Sequence, residues 1–245
     1  IRQVLQEESD ALRAYYEQAG ILIARPAGGT SCRLAISAKG GTNAENHNHN
    51  DVGSYAVALG SETMVGDQGG PNSYPGDYFN GDAPQKYKIK GSFGHPVPVV
   101  DGRTQSSGGK AKGVVLQKEF TNEKDVFSID YTSAYSTPNL DKLIRTFVYD
   151  RQGKGSFTVG DEFTAKTPIR FETAITTRAD WKILDDTHLL LATDSEQMIV
   201  AIEASGKVAF TSETIEVNSP AYTRIGIALK NQSKEGYIRL KMYTK

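Results

Sequence analysis

The sequence predicts an all-β protein, a large antiparallel two-sheet β-sandwich with one short N-terminal helix. Apolar and polar residues alternate along residues 127–132, 169–176 and 238–242. Period-two alternation places one face of a strand in the core and the other in water. Turn-forming residues at 151–155 and 204–207 are expected to join neighbouring strands as hairpins. Many short strands at regular spacing are typical of a sandwich or barrel.

Length, net charge and cysteine content limit the classes of function that this chain can have. A length of 245 residues allows one large all-β domain or two small ones. The net charge of −1 gives no reason to expect nucleic acid or a membrane surface as partner. No apolar run approaches the roughly 18 residues that span a bilayer. A single cysteine, Cys32, excludes an internal disulfide framework. Because the chain begins at Ile1, without Met or a signal-peptide pattern, we expect a fragment or a processed product.

The N-terminal segment is the one good helix candidate. Apolar residues recur at helical spacing across residues 3–16, and Gly20 is expected to end the helix. These apolar residues are Val4, Leu5, Ala11, Leu12, Tyr15 and Tyr16. We therefore assign residues 1–20 to the helical tail of an upstream domain or to a lid on the sandwich, and residues 21–245 to the sandwich itself.

From residue 21 onward the pattern is that of β-strands. The first predicted strands are residues 21–25, 33–38, 55–59 and 63–65. A long loop rich in Gly, Pro, Asn and Asp then covers residues 66–81. Long loops within compact domains are usually functional or disordered. The aromatic residues Tyr74, Tyr78 and Phe79 argue against disorder, so we expect a functional loop.

One polar stretch, residues 42–51, concentrates groups that a strand core does not tolerate. It holds two of the four histidines, four Asn, one Glu and one Asp. Each buried amide or imidazole would need its own partner, whereas a metal or acidic-sugar site uses such groups. In an extended chain His47, His49 and Asp51 point to one side. A short strand here would present two imidazoles and a carboxylate to a single cavity.

Three residues form a candidate metal site, namely His49, Asp67 and His95. Two imidazoles and one carboxylate with an open position suit Zn²⁺ or a similar divalent metal. The alternative is structural: His95 would cap a loop, and Asp67 would form an Asx turn before Gly69 and Gly70.

Two other enzyme classes stay open on the residues alone. His49, Asp51 and a distant His95 match the facial triad of non-haem iron oxygenases, in which Arg103 would bind an oxo-acid cosubstrate. The spacing of Gly41, His47, His49 and Gly60 matches the first half of a cupin motif. However, the Glu that a cupin has soon after the second His is absent from residues 52–55, and no second-half motif follows.

The segment NHNHNDVGSY at residues 46–55 resembles the signature of the heparinase II/III-like polysaccharide lyases. The similarity continues through VGDQGG at 65–70 and HPVPVVDG at 95–102, and more loosely through RTFV at 145–148 and FTVGDEF at 157–163. It covers most of the chain from about residue 20. In that family this region is a β-sandwich that follows an α/α-toroid domain. The two domains form a cleft that cleaves uronic-acid polysaccharides by β-elimination.

The resemblance also implies roles for individual residues. Asn46 and His47 would face the uronate, with His47 neutralising its charge or acting as base. His49, Asp67 and His95 would hold a mainly structural metal, Zn²⁺. The residues expected to contact the sugar are Tyr74, Tyr78 and Arg103. For the two tyrosines, simple packing within the loop is an equal alternative.

The resemblance carries one large departure. The catalytic Tyr of the family, and a His or Asn that assists it, belong to the toroid, and nothing in residues 1–20 replaces them. The partner implied is therefore an upstream toroid of the same protein, and the isolated chain is expected to be inactive. The substrate would be heparin, heparan sulfate or alginate, and the location periplasmic or secreted in a bacterium. A non-catalytic domain that binds acidic glycans is the remaining alternative.

Overall fold

The structure is a computed structural model that describes residues 11–67, 70–216 and 220–245. Its strands, in chain order, are Arg13–Tyr16 (β1), Ile21–Ala24 (β2), Leu34–Lys39 (β3), Thr42–Asn43 (β4), Tyr55–Leu59 (β5), Glu62–Val65 (β6), Val99–Val100 (β7), Gly108–Lys112 (β8), Val114–Phe120 (β9), Lys124–Asp130 (β10), Leu140–Asp150 (β11), Ser156–Ile169 (β12), Phe171–Thr177 (β13), Asp180–Asp185 (β14), His188–Ala192 (β15), Gln197–Ala204 (β16), Val208–Ile215 (β17), Tyr222–Leu229 (β18) and Ser233–Thr244 (β19). Within the same ranges Ala83–Lys86 forms a short α-helix (α1), and Ser92–Gly94 and Thr132–Ala134 form 3₁₀ turns. No helix in these ranges is long and apolar enough to cross a membrane.

Two antiparallel layers pack face to face. One is an eight-stranded sheet in the order β14-β15-β16-β19-β12-β11-β10-β9. The other combines a five-stranded sheet, β1-β2-β3-β5-β6, with a four-stranded sheet, β17-β18-β13-β7. These two sheets meet where β6 runs beside β13, and the backbone N–H of Gly66 donates to the carbonyl of Thr176 at 3.0 Å. The predicted two-sheet sandwich is therefore confirmed.

Aromatic side chains join the two layers in the centre of the core. Phe127, Phe147 and Phe157, from three adjacent strands of the large sheet, stack with ring centroids 5.9 and 6.2 Å apart. Tyr55 of β5 packs against Phe147 and Phe157 from the opposite layer. Burying each such ring contributes about 1.5–3 kcal/mol, so this stack is a main source of cohesion between the layers.

The N-terminal segment is a strand where the structure describes it. Arg13–Tyr16 pairs with Ile21–Ala24, so the predicted helix over residues 3–16 is wrong for residues 13–16. Residues 1–10 lie outside the described part of the chain. Long-range contacts explain the difference, because Arg13 Nε donates to Asp125 Oδ1 at 2.8 Å and Tyr15 packs on Phe127. The segment reaches Asp125 and Phe127 because it forms an edge strand of the sandwich.

Two predicted local features also differ from the structure. The turn at 204–207 was expected to close a hairpin, but β16 lies in the large sheet and β17 in the four-stranded sheet. Similarly, the single strand predicted over residues 169–176 is divided at Arg170. In both places the chain passes from one layer to the other, which the local sequence does not signal. The hairpin predicted at 151–155 does connect β11 with β12.

The 151–155 hairpin provides a matched pair of glycine substitutions. Gly153 and Gly155 both have positive φ, 59° and 80°, so alanine at either position is strained by about 1–2 kcal/mol. A Cβ at Gly153 meets no atom within 4 Å, whereas one at Gly155 would collide with Sγ of Cys32. We expect Gly155→Ala to cost a further 1–3 kcal/mol or so from overpacking. Urea unfolding midpoints measure both costs, and equal costs would contradict this account.

Candidate metal centre and adjoining groove

Beyond the two residues of β4, the polar stretch at 42–51 forms a turn rather than a strand. The backbone N–H of Asn48 donates to the carbonyl of Glu45 at 3.2 Å, and His47 adopts a left-handed φ of 57°. The chain therefore reverses, and the prediction that His47, His49 and Asp51 share one side of an extended strand is wrong. His47 is exposed, whereas His49 is half-buried. The two imidazoles consequently face different surroundings.

Asp51 has a structural partner. Its carboxylate is buried and accepts a hydrogen bond from Lys39 Nζ at 2.5 Å. Its backbone N–H donates to Asn43 Oδ1 at 3.1 Å. These contacts hold the end of the polar turn against β3, and Asp51 is not part of the ligand cluster described next.

Three loops bring His49, Asp67 and His95 together. His49 follows the polar turn, Asp67 follows β6, and His95 follows the 3₁₀ turn of Ser92–Gly94. One potential ligand atom from each residue lies within 4.8 Å of the others. The imidazole centroids of His49 and His95 are 5.1 Å apart. This donor set is the one that the sequence predicted.

The His95 side chain supports a bound cation. It is 1% exposed, and neither of its ring nitrogens has a hydrogen-bond partner among the described residues. The nearest carboxylate oxygen, Asp67 Oδ2, is 3.4 Å from Nδ1. Leaving a buried polar group unsatisfied costs about 1–3 kcal/mol, which coordination to a metal would remove. The side chain does not cap a loop, as the structural alternative required.

The titration behaviour of the two histidines fits the same interpretation. Burial, followed by the nearby charge of His95, lowers the pKa of His49 to about 4. At neutral pH this imidazole is therefore unprotonated and has a lone pair for a metal. Burial lowers the pKa of His95, but the interactions with Asp67 and the negative charge of Asp51 together outweigh it, and the net shift is upward.

Tyr78 is buried beside His49, one of the three candidate ligands. Its side chain is buried, and its hydroxyl lies 3.2 Å from Nε2 of His49. Burial raises the pKa of Tyr78 to about 12, so the phenol stays neutral and can orient the imidazole. Tyr74 is 58% exposed and packs on the rings of Tyr78 and Phe79. Of the two tyrosines predicted to contact the sugar, only Tyr74 is accessible to one.

An open groove of about 340 Å³ lies between the polar turn and residues 79–84. Its lining includes Asn46, His47, Phe79 and Lys90. The rings of His47 and Phe79 make an edge-to-face contact at 4.8 Å. A second depression of about 360 Å³ shares Asn46 and His47 but also contains His49 and Asp67. The polar turn therefore places His47 between the groove and the cluster of candidate ligands. Amides next to an exposed aromatic ring suit a sugar.

Arg103 lies away from both depressions. It closes an exposed turn after β7, in which Val100 and Arg103 exchange backbone hydrogen bonds of 2.9 and 3.0 Å. It lines neither the groove nor the second depression. Its position gives no support to the predicted role in substrate binding.

Arg145 is a residue of the site that the sequence analysis missed. It is fully buried, and its guanidinium binds the carboxylate of Asp161 through two bonds of 2.7 and 2.6 Å. Its Nη1 also donates to the carbonyls of Gly53 and Pro96, each at 2.7 Å. Gly53 lies two residues after the end of the polar stretch, and Pro96 follows His95. Arg145 therefore anchors two of the three loops that carry the candidate ligands.

The comparisons with known proteins bear on the fold. No protein-family model matches this sequence, and no curated protein matches it. A crystal structure of heparinase III superposes with a TM-score of 0.74 at 17% identity, covering 95% of this chain and 36% of that one. A mutant of the heparan sulfate lyase HepC from Pedobacter heparinus gives a TM-score of 0.76 at 15% identity, over 96% of this chain and 37% of that one.

A heparinase III gene product with methylated lysines gives a TM-score of 0.72 at 12% identity, over 96% of this chain and 36% of that one. At these identities the likeness shows a shared fold. The resemblance expected from the sequence is thus confirmed at the level of the β-sandwich. This chain spans little more than a third of the length of the solved structures that it matches.

Proposed function

We propose that this chain is the β-sandwich part of a polysaccharide lyase that cleaves uronic-acid glycans by β-elimination. Glycans of the heparin, heparan sulfate or alginate type would be its substrates. The observation that carries the proposal is the convergence of His49, Asp67 and His95 beside a groove lined by Asn46 and His47. This arrangement occurs in a fold shared with heparinase III.

The groove residues suit the chemistry of elimination. The reaction breaks the C–H bond beside the sugar carboxylate, forms a carbon–carbon double bond and expels the 4-linked sugar, whose oxygen takes up a proton. Negative charge develops on the carboxylate as the proton leaves, so its stabilisation is the main task. The Asn46 amide and the His47 imidazole would donate hydrogen bonds to that carboxylate. A neutral His47 would alternatively accept the proton as base.

His49, Asp67 and His95 would hold a divalent metal, and two imidazoles with a carboxylate favour Zn²⁺. When bound, the ion supplies a fixed positive charge that joins three loops. Because His47 is two residues from His49, fixing His49 also fixes the turn that presents His47 and Asn46. The role proposed for the metal is therefore mainly structural.

The remaining catalytic groups are proposed to come from elsewhere in a longer protein. The solved chains that share this fold are nearly three times longer than the part matched here. An upstream α/α-toroid domain would supply the catalytic Tyr and the other wall of the cleft, and the isolated sandwich would then be inactive. A periplasmic or secreted location in a bacterium would give such an enzyme access to its polysaccharide.

The rival enzyme classes receive less support from the geometry. An iron oxygenase would need Asp51 as a ligand, but its carboxylate is bonded to Lys39. A cupin would need His47 and His49 on one strand, but the chain turns between Glu45 and Asn48. Neither arrangement is present in the described residues.

Metal analysis of the purified chain tests this proposal. We expect one equivalent of zinc in the wild type, loss of the metal in His49→Ala, Asp67→Ala and His95→Ala, and retention in the control Asp51→Asn. The ligand variants remove atoms from the cluster, whereas Asp51→Asn keeps the buried hydrogen-bonding shape. Iron that depends on Asp51 would support the oxygenase, and a metal-free wild type would contradict the metal centre.

Turnover provides the second arm of the test. A protein that includes the upstream domain should release unsaturated uronate products from heparan sulfate or alginate. Binding of these glycans without any unsaturated product would instead support the non-catalytic glycan-binding alternative.

A further inference from the structure

Lys90 is a buried lysine on the wall of the groove. It lies in the turn after α1, its side chain is almost fully covered, and it is one of the groove-lining residues. Its ammonium nitrogen lies 4.9 Å from the ring centre of Tyr78 and 5.0 Å from that of Phe79. It also donates to the backbone carbonyl of Tyr78 at 2.5 Å. The charge is thus held by two ring faces and one neutral oxygen.

Lys90 differs from the other buried basic side chains of the described chain. Arg145 pairs with Asp161, Arg151 with Asp125, and Arg224 with Glu172. Among the described residues, no carboxylate oxygen lies within 4.0 Å of the Lys90 ammonium nitrogen, so Lys90 has no ion pair there.

The contrast between Lys90 and these arginines is one of charge balance. Cation–π contacts offset only part of the cost of burying an ammonium group. Burial accordingly lowers the pKa of Lys90. An anion entering the groove would supply the missing counter-charge.

The backbone of Lys90 is tied to the polar turn. Its carbonyl accepts a hydrogen bond from the N–H of Asn50 at 3.0 Å. Asn46 and His47 in the same turn face the same groove. Phe79, which is 50% exposed, offers an aromatic face beside the ammonium group. The groove therefore presents a cation, amide and imidazole groups, and a stacking surface within one depression, as an acidic sugar ring would require.

We propose that Lys90 is the anion-recognition residue of this groove, binding a carboxylate or sulfate of a sugar whose ring lies against Phe79. The inference rests on the proposed function for the class of polysaccharide, but it assigns a role to a residue that no motif indicated. With Lys90 in this role, the groove binds acidic glycans in preference to neutral ones. The carboxylate and sulfate share the same chemistry here, so the test must separate them.

Calorimetric titration of the 245-residue chain with three tetrasaccharides tests the proposal: unsulfated mannuronate, heparan sulfate, and neutral chitotetraose. The variant Lys90→Met keeps the unbranched stem against the rings and removes the charge. We expect it to weaken binding of the acidic ligands at least about tenfold while leaving the neutral ligand unchanged. Loss with both acidic ligands assigns the carboxylate, and loss with heparan sulfate alone assigns the sulfate.

Matched variants distinguish recognition from a structural role. Lys182→Met removes the same charge from an exposed position on β14 and should not alter affinity. Lys90→Arg keeps the charge and should retain preference for acidic ligands, which also covers the case in which Lys90→Met fails to fold. A lower melting temperature of Lys90→Met with unchanged acidic affinity would overturn the proposal, as would a wild type that binds no acidic tetrasaccharide. Metal content and eliminative turnover report on the proposed function separately.

Discussion

His47→Ala is expected to lower eliminative turnover by about 10²–10⁴-fold in a protein that includes the upstream domain, with little change in thermal stability. The reason is its position. His47 is exposed, lines both depressions and packs its ring on the rim residue Phe79. Its loss therefore removes a hydrogen-bonding or basic group from the substrate side without opening a cavity in the core.

The backbone conformation at His47 makes His47→Gly an informative control. Its φ of 57° is unfavourable for a side chain with a Cβ but easy for glycine. His47→Gly should therefore be at least as stable as the wild type and as inactive as His47→Ala. His188→Ala removes an exposed imidazole paired with Asp185 and should retain full turnover. Unfolding of both His47 variants, or full turnover in either, would refute the catalytic assignment.

Asp161→Ala is expected to destabilise the fold by about 3–5 kcal/mol. The substitution leaves the guanidinium of Arg145 buried and without its carboxylate, and it removes the acceptor for the Tyr131 hydroxyl at 2.6 Å. Removing one member of a buried pair costs more than the pair contributes, because the remaining charge is uncompensated. Urea unfolding with a constant m-value measures this loss.

A double substitution separates charge imbalance from lost packing. Arg145→Met combined with Asp161→Leu should be less destabilised than either single variant, because no unpaired charge remains. It should nevertheless bind zinc more weakly, since the carbonyls of Gly53 and Pro96 lose the donor that fixes both ligand loops. Additive stability effects would contradict the charge argument, and unchanged zinc affinity would contradict the anchoring role.

The regular part of the fold was predictable because burial alternates along its strands. The inward positions of β11, such as Phe147 and Tyr149, are apolar in the sequence and buried in the structure. The N-terminal segment was misassigned because its spacing fits a helix equally well. What makes it a strand is Asp125, more than 100 residues away, which receives Arg13. Such a long-range partner is not visible in a local pattern.

The candidate site was predictable in composition but not in geometry. His49, Asp67 and His95 stood out because their chemistry is rare in a strand core, and the structure brings them together. The local backbone was not predictable, since the left-handed conformation at His47 has no sequence signal of the kind that glycine gives. A single sequence therefore predicted which candidate ligands lie together more reliably than the shape of the surface around them.

Arg145 was missed although a signal was present. It occupies an inward position of β11, and Asp161 occupies the directly opposite position of β12. Alternation predicts an apolar, inward-facing side chain at each of these positions. When both are instead charged, with opposite signs, the pattern indicates a buried ion pair. Lys90 gave no comparable signal, because its environment is assembled from the loop and the polar turn.

The position of β19 in the large sheet affects how the protein reaches its native state. This strand is the last of the described strands in sequence, yet it pairs with β12 on one side and β16 on the other. Until it is synthesised, the β14–β16 and β9–β12 groups each expose an unpaired inner edge. Completion of the large sheet therefore depends on non-local pairing with β19, which slows folding and leaves the unpaired edges prone to edge-to-edge aggregation.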